Sequence, residues 1–81
     1  MKMQDAKKEI MQGSLTVRID YSDGNITYVG YAVPGSSEDE AKWQIRKFEY
    51  DASGNLIAVK FADGTVGFDK IWTNRASYDY S

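Results

Sequence analysis

Carboxylates and aromatic rings are the side chains here with chemical potential, because the chain contains neither cysteine nor histidine. Disulfides, zinc fingers, thiol nucleophiles, histidine bases and Ser-His-Asp triads are thereby excluded. Glu38-Asp39-Glu40 could meet a hard cation, but consecutive acids on a loop ordinarily just face water. Asp51-Ala52-Ser53-Gly54-Asn55 resembles the start of a calcium loop, yet its glycine falls at the fourth position and its twelfth residue is Ala62, which cannot ligate. Asp20-Tyr21-Ser22-Asp23-Gly24 fails in the same way, with Tyr31 twelfth. The glycines stand in Asp-Gly, Ser-Gly and Pro-Gly turn pairs, with no Walker or dinucleotide pattern. A catalyst would have to work with Ser, Lys, Tyr or acids alone, and none of these sits in a recognisable motif. The expectation is a protein without catalytic residues, metal ligands or a cofactor.

Binding is the remaining class. Arg18, Arg46, Lys47 and Lys60 could share an outward face beside Tyr31, the layout of a barrel that binds single strands. Against this, the chain carries 10 Lys+Arg and 12 Asp+Glu, a net charge of -2, and four basic groups in an acidic domain make a poor footprint for a phosphate backbone. The aromatic share is 14%, and Trp43, Trp72, Tyr31, Tyr78 and Tyr80 exceed what one small core can absorb. Rings stacked in a groove could bind sugars, whereas rings on flat faces and tails usually bind protein.

The elements that must position these groups follow from periodicity. With 81 residues there is room for a single small domain. Apolar runs are too short to span a membrane, and the first dozen residues lack the apolar region of a secretory signal. Residues 1–13 read as an N-terminal arm or short helix ended by Gly13, with Met3, Ile10 and Met11 as one ragged stripe. From Ser14 the period becomes two. Leu15, Val17, Ile19 and Tyr21 alternate with polar residues, and Asp23-Gly24 supplies a type I′ hairpin turn. Counting outward from that turn predicts the pairs Tyr21–Ile26, Ile19–Tyr28, Val17–Gly30 and Leu15–Ala32, all on one apolar face. Val29, Tyr31 and Val33 then lie on the second face, and a neighbouring subunit is the simplest cover for them.

Val33 through Glu40 should break the sheet, and a strand begins near Ala41 and runs to Tyr50. Loops at Ser53-Gly54 and Asp63-Gly64 predict the pairs Tyr50–Ile57, Phe48–Val59, Phe61–Val66 and Val59–Phe68, and set Lys47 opposite Lys60. Phe48, Tyr50, Ile57, Val59, Phe61, Val66 and Phe68 would then share an inward face. Trp43 and Ile45 have the opposite parity, which calls for a β-bulge near Arg46-Lys47 or a strand bent between two layers. The predicted fold is all-β: a small five-stranded antiparallel barrel or sandwich built from hairpins, spanning 14–72, with 73–81 as a C-terminal arm anchored by Trp72.

One resemblance sharpens the functional expectation. Tyr28-x-Gly30-x-Ala32-x-Pro34-Gly35, Trp43-x-Ile45, Tyr50-Asp51 before a glycine turn, Ala62-Asp63-Gly64, Phe68-Asp69-x-x-Trp72 and Arg75-Ala76-Ser77-Tyr78 follow in order through Tyr28–Ser81. In that order and spacing they resemble small structural and accessory proteins of tailed bacteriophages and prophages. The resemblance implies a non-enzymatic role in the virion or its assembly, as a homo-oligomer or against other virion proteins, and so a place in the particle or the host cytoplasm. Trp72, Arg75, Tyr78, Tyr80, Tyr31, Val29 and Val33 are the expected partner contacts. The alternatives are a small carbohydrate- or cell-wall-binding β module and a single-stranded nucleic-acid-binding barrel.

Overall fold

The alternation after Ser14 becomes two strands, β1 (Thr16–Ser22) and β2 (Asn25–Ala32), joined by the expected turn. Asp23 and Gly24 both take positive φ, 53° and 83°, as a type I′ hairpin requires. The computed structural model describes residues 14–81, so the arm or short helix expected over 1–13 lies outside the described residues. β3 (Ala41–Tyr50), β4 (Leu56–Phe61) and the two-residue β5 (Lys70–Ile71) follow, and a 3-10 helix covers Trp72–Ser77. The strands form a sheet in the order β1-β2-β3-β4, with β5 paired to β3, and every pairing is antiparallel. The protein is thus mostly β and built from hairpins, as the turns predict.

The faces differ from expectation. Tyr21 opposes Ile26 as counted from the turn, but the ladder then steps by one residue and Asp20 opposes Tyr28. Thr27 is the extra residue of a β-bulge. Beyond it Ile19 opposes Val29, Arg18 opposes Gly30 and Val17 opposes Tyr31, so the predicted pairs Ile19–Tyr28 and Val17–Gly30 do not form. A slip of one residue transfers every side chain to the other side of the sheet. Val17, Ile19 and Tyr21 therefore point away from the chain's own core and are 42%, 48% and 60% exposed.

β3 serves both faces. Tyr28 to Tyr31 oppose Lys47 to Gln44 residue by residue, and Arg46, Lys47 and Phe48 oppose Phe61, Lys60 and Val59 in step. No bulge interrupts Arg46-Lys47, so the opposed parities of Trp43 and Phe48 mean opposite faces of one strand. The inner face holds the core: Ala32, Trp43, Ile45, Ala62 and Trp72, with Tyr28, Tyr78 and Tyr80 packed against it. The inward face expected from Phe48 to Phe68 is overturned, since Ile57, Val59, Val66 and Phe68 are all exposed. Phe48–Val59 and Lys47–Lys60 pair as counted, but Tyr50 opposes Leu56 in place of Ile57. The loop explains the shift. The Asp51 carboxylate accepts the N–H groups of Ser53 and Asn55, and the Asp51 N–H donates to the Asn55 carbonyl, closing a longer turn than Ser53-Gly54 alone.

Asp63-Gly64 does reverse the chain, with φ of 54° and 67°, but residues 65–69 do not return as a strand. The place beside Phe61 is taken by the C-terminal residues. Phe61 and Ser81 exchange N–H···O bonds of 3.1 and 3.2 Å, and the Asp63 N–H donates to the Asp79 carbonyl. The segment 73–81 is therefore a part of the folded domain and not an arm. Its entry residue, Trp72, packs closely on β2, where a Cβ at Gly30 would sit 2.6 Å from the indole. Only glycine allows that approach.

Candidate functional site

The inner face is closed by the chain itself. Trp43 and Trp72 pack with ring centroids 6.0 Å apart, and the Trp43 indole N–H donates to the Ser37 carbonyl. The bulge has turned the polar side of β1 onto this face, and ion pairs satisfy it. Arg18 lies over the Trp43 ring and binds Glu38 at 2.7 Å. Asp20 accepts from Arg75 at 2.9 Å, while Arg75 covers the Trp72 ring and donates to the Trp72 carbonyl. The acidic loop thus fastens β1 and the 3-10 helix: Glu38 takes Arg18, Asp39 accepts the Thr73 hydroxyl proton, and Glu40 accepts the Ser37 N–H. Among the described residues no group of three carboxylates is placed to hold a metal ion.

Four of the expected partner contacts turn out to be internal. Trp72 is buried, and Arg75 is occupied as just described. The Tyr78 hydroxyl accepts the Ile71 N–H, and Tyr80 donates to the Arg75 carbonyl with its ring 5.6 Å from that of Tyr28. Periodicity gives no sign that Tyr78 and Tyr80 dock, because they are held by single hydroxyls and one β-bridge, Ala62 to Tyr80, with no strand between. The four basic groups expected together are divided. Arg46 shares the outer face with Tyr31, while Arg18, Lys47 and Lys60 lie on the other side. Neither tryptophan offers a free ring to a sugar.

Burial, reinforced by the neighbouring Tyr28 and Tyr78, pushes the Tyr80 phenol far above its ordinary value. A phenol that holds its proton more tightly when folded contributes stability below the unfolded pKa of about 10 and loses it as pH rises beyond that point. Stability followed by circular dichroism should therefore fall steeply above pH ~10, and Tyr80→Phe should flatten that fall. An unchanged alkaline profile in the variant would show that Tyr80 is not the buried acid.

The outer face is a different surface. It presents Val17, Ile19 and Tyr21 from β1, Val29 and Tyr31 from β2, Phe48 from β3, and Val59 and Phe61 from β4. Val29 is already buried among these neighbours, Tyr31 is half-buried, and Val33, just past β2, is 62% exposed. Arg46 lies at the middle, its guanidinium 4.7 Å from the Tyr31 ring centre and 5.1 Å from that of Phe61, with Nε donating to Gln44. No strand or helix within residues 14–81 covers this face. The loop at Val66 touches one end, where Gln44 donates to the Val66 carbonyl.

Fold and site together define a small antiparallel β protein with one face of its sheet closed by its own chain and the other apolar and left open by residues 14–81. No family model, curated protein or solved structure matches the chain. No helix among the described residues is long and apolar enough to cross a membrane.

Proposed function

We propose that this protein is a non-enzymatic structural or assembly component of a tailed-phage particle, acting through protein–protein contacts and as a homo-oligomer, in the virion or in the host cytoplasm before assembly. The observation that carries the binding role is the outward turn of the apolar side of β1, with Val17, Ile19 and Tyr21 presented to the surroundings. A small chain has little apolar surface to spare, and a strand that shows its apolar side to water indicates a partner there. The finer architecture we propose is a β-sandwich whose second layer comes from outside the chain.

The virion assignment rests on the resemblance. Several of the residues that carry it, Tyr28, Gly30, Ala32, Trp43, Ile45, Trp72 and Tyr78, build the inner core, so they bear on a shared fold. The outer face supports the contact role independently. An antibody against this protein should follow phage particles through a density gradient of an induced lysate of the encoding strain. Recovery of the protein wholly in the soluble fraction would contradict the virion assignment.

A further inference from the structure

We infer that the outer sheet face docks on the same face of a second copy, giving a two-layer sandwich about a two-fold axis; this rests on the homo-oligomer part of the reading above. A single sheet with both faces to fill requires two covering layers, and residues 14–81 supply one. The covered area is sufficient. Four strands ~4.8 Å apart and about seven residues long project roughly 450 Å² per copy, and side-chain relief carries two copies past the ~1,000 Å² that a specific interface needs.

The chemistry of the face favours a like partner. Tyr21, Tyr31, Phe48, Phe61 and a stacked arginine are the residue types enriched at interface centres. Asp20 and Glu49 face the other way, so no acid from the paired strands meets its own copy. Arg46 is already sheathed by two rings and Gln44, and a planar stacked guanidinium is the cation that tolerates such a position. An isologous contact needs self-complementarity, and this face offers it through its apolar side chains, with Arg46, its one charge from the paired strands, held against the Tyr31 and Phe61 rings. Two twisted sheets of the same hand pack face to face ~10 Å apart at about 30°.

Sedimentation velocity on the full chain tests this with Ile19→Lys, Val59→Lys, the milder Val59→Thr, and Asn74→Lys on the 3-10 helix as control. The parent protein should be dimeric at tens of micromolar. Both lysine variants should weaken association at least ~100-fold, with tryptophan fluorescence unchanged, because these side chains lie outside the inner core. Val59→Thr should weaken it by a smaller factor, and Asn74→Lys should leave it unaltered. A monomeric parent, or lysine variants that dimerise as well as the parent, would overturn the proposal. A dimer through this face that never enters particles would sink the virion reading alone.

Discussion

Trp43→Ala should remove a large fraction of the protein's stability. Trp43 is 0% exposed and sits where three parts of the chain meet. Its ring packs on Trp72, its N–H holds the Ser37 carbonyl of the acidic loop, and the Arg18 guanidinium lies above it. Emptying such a site costs about 3–5 kcal/mol. A chain of 81 residues has a total stability on the order of 4–12 kcal/mol, so the loss is a large fraction of the whole. By denaturant or thermal melts the midpoint should fall by ~12 °C or more. Trp43→Phe should fall between, since the ring packing survives while the Ser37 carbonyl loses its donor. A shift of under ~5 °C for the alanine variant would mean that the inner face is not the core.

Truncation after Ser77 should be comparably damaging. It removes the Tyr78 hydroxyl that satisfies the Ile71 N–H, the Tyr80 ring that packs on Tyr28, and the paired Phe61–Ser81 backbone. Losing two half-buried rings costs about 1.5–3 kcal/mol before the hydrogen bonds are counted. Hydrogen exchange of β4 should reach the unprotected limit, and the melt should broaden or vanish. A free arm in the same place could be cut with no change in melting, and that result would refute the docked tail.

What the sequence reveals, and what it hides, divides along physical lines. The three reversals at Asp23-Gly24, Asp51–Asn55 and Asp63-Gly64 are local, since each needs positive φ at particular residues and a carboxylate or glycine supplies it. The alternation in 15–22 and the run from Ala41 to Tyr50 likewise mark strands. The faces were not legible, because register counted from a turn carries any slip to the end of the strand. Thr27 gives no sign of being a bulge, being neither glycine nor flanked by one. The polar side of β1 looks like the wet side until its partners are known. Those partners, Glu38 and Arg75, stand 20 and 55 residues away along the chain. The tail is hidden for a related reason: Tyr78 and Tyr80 dock through hydroxyls and a single bridge, which leave no periodic trace.

The most direct measurement is an isotope-filtered nuclear Overhauser experiment on an equal mixture of carbon-13-labelled and unlabelled chains. The Ile19 and Val59 methyl groups of labelled molecules should show cross-peaks to protons of unlabelled ones, while Ile45, inside the core, shows none. Intermolecular peaks absent from Ile19 and Val59, or arising from other surfaces alone, would contradict the account.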